Sequence, residues 1–225
     1  MTASARVAVV DYGAGNLVSI RNALILLGAE VNVATAARDL EAADVILVPG
    51  VGASAPAMAR LRRQGLVEPI IARVRAGTWY VGICLGLQLL FERSREDDAR
   101  MFGLLKGDVE LIPDAPSLPH IGWNRVQRRR EHALLDDLRD GTPAYFVHSY
   151  VPVPADAAVV VAETEHGGRF ASIVAVDRIV GFQFHPERSG DDGLRMLHNL
   201  LSFMAASTSG PDASTPTPAI GAGVR

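Results

Sequence analysis

The chain reads as an α/β fold: an open, mostly parallel central sheet with helices on both faces and antiparallel strands added in the C-terminal half. Three observations predict it. In the first half, short apolar runs alternate with segments of helical periodicity, and the runs are continuously hydrophobic, as strands covered on both faces must be. From about residue 106, strand follows strand with no long helix between. A length of 225 residues, 48% hydrophobic and 21% charged, is an ordinary globular balance for one domain with a sizeable core.

The elements follow in order. "RVAVVD" (6–11) is a buried strand, and Leu17, Ile20, Leu24 and Leu27 then recur at helical spacing up to Gly28, a cap. "VNVA" is a short strand, "ARDLEAA" a helix and "DVILVPG" (44–50) the next strand. A helical region over roughly 53–76 leads to the strand "TWYVGIC" (78–84), and "LGLQLLFERS" reads as a helix. Six strands come next: "KGDVELI", "IGWNRVQRR", "PAYFVHSYV", "AAVVVAETE", "FASIVAVD" and "IVGFQFH". A last helix carries Leu194, Leu197, Leu201 and Met204 on one face. The expected domain is 1–206. Residues 207–225, rich in Ser, Thr, Pro, Gly and Ala, bury too little apolar area to offset their ordering entropy and are expected to form a disordered tail.

Charge and composition exclude several classes. A formal net charge of -3 offers no bulk attraction to nucleic acid or anionic lipid, and Arg128, Arg129 and Arg130 are followed at once by Glu131, as in a solvated stretch. No run approaches the roughly 18 apolar residues that span a bilayer. The apolar run near the N-terminus is too short for a signal peptide. A single cysteine forms no internal disulfide, so a reducing cytoplasm is the expected compartment. No metal or cofactor is expected: there is no ligand spacing for a metal, and the only lysine, Lys106, sits in no phosphate-binding loop. Gly13-Ala14-Gly15 invites a dinucleotide reading, but the third glycine of that fingerprint would fall on Val18.

Gly82-Ile83-Cys84-Leu85-Gly86 places the only thiol where a strand ends and a helix begins. Flanking glycines relieve the crowding of such a turn, and backbone N–H groups at the helix start favour a thiolate and a developing oxyanion. Burial of a small apolar side chain is the competing account. A nucleophilic thiol needs a base and a group to orient it. "FHPE" supplies both, with His185 after a buried strand and Glu187 two residues on, on the same side of an extended link. Pro49-Gly50-Val51-Gly52 is either a tight turn or the second half of an oxyanion hole.

Taken together, "GICLGLQLL", "FVHSY" and "GFQFHPERSG" resemble the class I glutamine amidotransferases. "DYGAGNLVSI", "LVPGVGA" and "PHIGWN" narrow the resemblance to the glutaminase subunits of imidazole glycerol phosphate synthases, over residues 6 to 206. The resemblance implies a thiol nucleophile at Cys84, a base at His185 and its orienter at Glu187, with a glutamyl thioester between glutamine and glutamate plus ammonia. It implies oxyanion donors at Leu85 and Val51, and glutamine contacts at Gly50, Gly52, Gln88, Glu96, His148, Ser149 and Tyr150. It also implies a (β/α)₈-barrel cyclase as heterodimeric partner, met through Asn16, Pro119, His120, Gly122, Trp123, Asn124 and Arg188. Relatives often carry Met where this chain has Leu87 and Lys where it has Arg188, a change of fork geometry. Two other readings are a glutaminase feeding a different synthase, and a non-catalytic binding module of the same fold.

Overall fold

The computed structural model describes residues 4–208 apart from 14 and 16. Its strands and helices in chain order are β1 (Arg6–Val10), α1 (Leu17–Leu26), β2 (Glu30–Ala34), β3 (Val45–Gly50), α2 (Ser54–Arg63), α3 (Val67–Arg75), β4 (Trp79–Cys84) and α4 (Leu85–Gln88). They continue with β5 (Arg93–Ser94), β6 (Gly107–Leu111), β7 (His120–Arg128), β8 (Thr142–His148), β9 (Tyr150–Pro154), β10 (Val160–His166), β11 (Gly168–Val176), β12 (Ile179–Phe182) and α5 (Gly190–Thr208). A nine-stranded sheet runs β2-β1-β3-β4-β12-β11-β10-β7-β8. The pairings from β2 to β12 are parallel and those from β12 to β8 antiparallel. A second sheet, β5-β6-β9, packs beside it.

The continuous apolar strands are explained by burial on both faces. Alternate residues of one strand point to opposite sides. Val45, Leu47, Trp79, Val81 and Ile83 join α1 and α5 in one core layer, whereas Ile46, Val48 and Tyr80 join α2 and α3 in the other. Gly28 ends α1 as expected: its φ is 87°, and the Ala29 N–H reaches back to the Leu24 carbonyl at 3.0 Å.

Several elements differ from expectation. The helical region over 53–76 is two helices, because Gly65 takes φ 65° and turns the chain so that the Leu66 N–H donates to the Leu61 carbonyl. "ARDLEAA" makes only a 3₁₀ turn, Ala37–Leu40, with the Asp39 carboxylate accepting from the Thr35 and Ala36 N–H groups. The helix expected over "LGLQLLFERS" stops after one turn. The carbonyls of Leu89, Leu90 and Phe91, which a longer helix would use, instead accept from the N–H groups of residues 102–105. "PAYFVHSYV" is not one strand but two, β8 and β9, which part at Ser149 and enter different sheets. The final helix reaches Thr208, two residues past the expected boundary, and buries Met196, Leu197, Leu200 and Met204 with Leu194 and Leu201 at the edges. The rest of the expected tail lies outside the described residues.

Candidate active site

Two adjacent parallel strands create the site. Phe182 of β12 pairs with Ile83 of β4, so both strands end at the same level, delivering Cys84 and His185 to one sheet edge. Cys84 closes β4 with φ 52° and ψ −108°, a conformation an L-residue holds only when its surroundings impose it. Those surroundings are glycine-dependent. A Cβ on Gly82 would lie 2.5 Å from the Gly86 carbonyl oxygen, and one on Gly86 would lie 1.7 Å from that of Val48. The thiol is buried, with Sγ 3.8 Å from the Val147 carbonyl oxygen and 3.7 Å from Gln183 Nε2, which donates to it.

His185 is held from three sides. Its N–H donates to the Tyr145 carbonyl, its own carbonyl accepts from Ser189 Oγ at 2.7 Å, and its Nδ1 lies 2.8 Å from Glu187 Oε1. Both side chains are nearly closed to solvent, 6% and 3% exposed. The link between them is a 3₁₀ turn, Pro186–Arg188, rather than the extended segment expected, and the turn brings the carboxylate back onto the imidazole. Burial opposes charge on His185, but the nearness of Cys84 and the hydrogen bond and charge of Glu187 outweigh it and raise the imidazole to about 10. An imidazole that favours its protonated form is thus paired with a carboxylate, with the Cys84 sulfur near the ring.

Beside them opens a cavity of about 230 Å³, sized for one amino acid. Gly52, Leu85, Gln88, Glu96, Ser149 and Tyr150 line it together with Cys84 and His148, so eight of the residues expected to act on or hold glutamine converge there. Gly50 does not line it but pairs with Cys84 across β3 and β4, where any Cβ would fall 2.0 Å from the Tyr12 hydroxyl. Val51 lies just past the end of β3, with its side chain exposed. Glu96 lies near the start of α2, where the Ser54 backbone N–H favours its charged form. Partial burial, followed by the nearby Asp97, raises its carboxyl above the ordinary range. A cation in the cavity would relieve that cost.

Sequence reasoning missed Gln183. It is fully buried, accepts from Gln88 Nε2 at 3.2 Å and donates to Cys84 Sγ, so it links Cys84 to the cavity wall. Its signal was an amide inside the otherwise apolar "VGFQFH". The expected partner-facing residues separate into two groups. Trp123 stands 59% exposed beside Ile121, which was not among them and is 60% exposed, and Arg188 lies over the Tyr145 ring at 4.5 Å, edge-on to which Trp123 packs. Pro119 lines the cavity, Gly122 lies between the two exposed side chains, and Asn124 is half-buried. His120, by contrast, is only 4% exposed and points inward, behind that face rather than on it. Asn16 lies outside the described residues. Among the described residues no three His, Cys, Asp or Glu side chains group so as to hold a metal ion.

Residues 8–202 match the family described as glutamine amidotransferase class-I, and the chain belongs to that family. Solved structures agree on the fold: a glutamine amidotransferase superposes with a TM-score of 0.71 at 21% identity, covering 89% of this chain and 98% of that one. PurLQS from Thermotoga maritima superposes with a TM-score of 0.72 at 20% identity, covering 90% and 100%. Within the family the chain is similar to imidazole glycerol phosphate synthase subunits HisH. That of Aquifex aeolicus (strain VF5) is 46% identical over 196 residues, 86% of this chain and 95% of that protein. That of Xylella fastidiosa (strain Temecula1 / ATCC 700964) is 48% identical over 202 residues, 89% and 98%.

Proposed function

We propose that the chain is the glutaminase subunit of an imidazole glycerol phosphate synthase, passing ammonia from glutamine to a cyclase in histidine biosynthesis. The observation that carries the chemistry is Cys84 on the wall of a cavity for one amino acid, with the paired His185 and Glu187 close to it. Similarity to HisH subunits over nearly their whole length supports the particular synthase.

With its proton passed to His185 Nε2, the Cys84 sulfur attacks the side-chain carbonyl carbon of glutamine as the thiolate, forming a C–S bond and an oxyanion. The Leu85 N–H, at the start of α4 where no intrahelical acceptor exists, takes one lone pair of that oxyanion. The Val51 N–H, after its peptide rotates, takes the other. As the C–N bond breaks, His185 gives its Nε2 proton to the departing nitrogen and ammonia leaves. Neutral His185 then draws a proton from water whose oxygen attacks the thioester carbon; the C–S bond breaks, releasing glutamate and regenerating the thiolate. Glu187 keeps His185 Nδ1–H directed away from the thiol, and Glu96 meets the substrate ammonium. A peptide that must rotate before the oxyanion hole is complete makes activity depend on the docked (β/α)₈-barrel cyclase, received through the exposed face around Ile121, Trp123 and Arg188. This reading places the protein in a reducing cytoplasm. Among the described residues no helix is long and apolar enough to cross a membrane.

Glutamate release by the lone chain, and with cyclase and its ligand added, tests the reading. Slow turnover alone and fast turnover in the complex are expected. Rapid release by the lone chain would overturn the dependence on docking. Activity surviving Cys84→Ala would overturn the nucleophile and favour a binding module, and ammonia never incorporated by the cyclase would point to a different synthase.

A further inference from the structure

Behind the exposed face of β7 a line of hydrogen bonds runs to the nucleophile, and its polarity is forced at both ends. Asn124 cannot be flipped: its Oδ1 accepts from the Arg125 N–H at 2.7 Å and its Nδ2 donates to the Glu165 carbonyl at 2.9 Å. The same Nδ2 lies 3.2 Å from His120 Nε2, which must therefore be the bare, accepting nitrogen. The proton of neutral His120 is then on Nδ1, 3.1 Å from His148 Nε2, which in turn accepts. That leaves the His148 proton on Nδ1, facing the Tyr150 carbonyl at 3.1 Å, an acceptor only. The same carbonyl accepts from Gln88 Nε2 at 2.8 Å, and Gln88 continues to Gln183 and Cys84 Sγ. Starting from Asn124 or from Tyr150, the assignment of both rings is the same.

We propose that His120 and His148 are positioning residues: a neutral pair, each locked as its Nδ1–H tautomer, that fixes the Tyr150 carbonyl and through it the Gln88 amide on the wall of the glutamine pocket. The pair's role in catalysis rests on the glutaminase reading above; its tautomers do not. A proton on His120 Nε2 would face the Asn124 amide donor, and one on His148 Nε2 would face His120 Nδ1–H, so the line excludes the charged rings. Both rings are correspondingly shifted down, His120 to about 4 and His148 to about 3, burial being the largest cause in each. His120 is clamped between Phe146 and His166, with centroids 5.0 and 4.1 Å away, and His166 Nε2 is itself held by the Ser117 carbonyl. The pair therefore has a fixed ring plane as well as a fixed proton.

Two measurements test the proposal. Long-range ¹H–¹⁵N correlation on the full chain at neutral pH should find a protonated Nδ1 and a bare Nε2 in both rings; a proton on Nε2 of either ring would overturn it. In the assembled synthase at saturating cyclase, His120→Phe keeps an aromatic ring but removes the donor, and should raise KM for glutamine about tenfold with a much smaller change in kcat. His120→Asn, which restores an N–H near the position of Nδ1, should bring KM most of the way back. Equal KM values in the two variants, or a loss confined to kcat, would overturn the positioning role. Should His120→Phe not fold, the ring assignments decide the matter. Wild-type synthase that releases no glutamate would defeat the functional reading while leaving the ¹⁵N result to judge the pair.

Discussion

At the scale of single residues, the site depends on a thiol whose burial alone would mark it as core filling. What separates Cys84 from such a cysteine is its partners, because Gln183 donates to it and His185 is charged beside it. Cys84, His185 and Glu187 each stand out in the sequence, since elbow glycines and His-Pro-Glu are patterns of residue type and spacing. Gln183 does not, because a buried amide has no meaning until its acceptors are known. A prediction belongs here. His185 is raised to about 10, so its contribution to stability is complete below about 6.5 and is lost as pH rises through about 10. After burial, which acts in the opposite direction, Cys84 is the largest influence on it. In Cys84→Ala, NMR titration of His185 should therefore give a midpoint well below that of the wild type, and the alkaline loss of stability should begin at lower pH.

At the scale of elements, strand order and helix starts were legible wherever burial is periodic, and illegible where the chain turns back on itself. Leu89, Leu90 and Phe91 are all fully buried, so their run has no polar face from which a helix or a loop could be told apart. Only the return of residues 102–105 onto their carbonyls settles the matter. Ser149 is similar: one apolar run becomes two strands because its halves find different neighbours, β7 and β6. The element-scale prediction concerns the elbow. Gly86→Ala would set a methyl carbon 1.7 Å from a carbonyl oxygen of β3, a backbone clash no rotamer relieves. It should cost about 3 kcal/mol or more in urea unfolding, at the upper end of overpacking. Gly52→Ala meets no atom within 4 Å and is strained only through its φ of 94°, so it should cost about 1–2 kcal/mol.

At the scale of the whole molecule, the sheet joins two regions of different character, with Cys84 ending the last parallel strand but one and His185 following the next. The two buried histidines behind β7 give the molecule an acid limit. Their lowered values mean that the unfolded chain binds protons the native one refuses, so stability falls as pH drops from about 6.5 towards 3–4. The paired carboxylates add nothing at the upper end of that window. Asp44, held by Arg6, and Asp39, held by the Thr35 and Ala36 N–H groups, lie below the ordinary carboxylate range and release their contributions only in stronger acid. Urea midpoints should therefore decline already between pH 6.5 and 5, and a variant with both histidines replaced by Asn should show a flatter profile there, whatever its stability at neutral pH.

The sequence by itself determined the fold class, the meeting of Cys84, His185 and Glu187 and most of the cavity lining, because apolar periodicity and the elbow and His-Pro-Glu patterns are properties of residue type and spacing. Tertiary structure alone decided which strands stand side by side, that Glu187 returns through a tight turn, and that His120 faces inward to His148 instead of outward to a partner. The physical reason is the direction of a hydrogen bond. Whether an imidazole donates or accepts at a given nitrogen depends on the groups placed around it, and here those groups come from strands far apart in the chain.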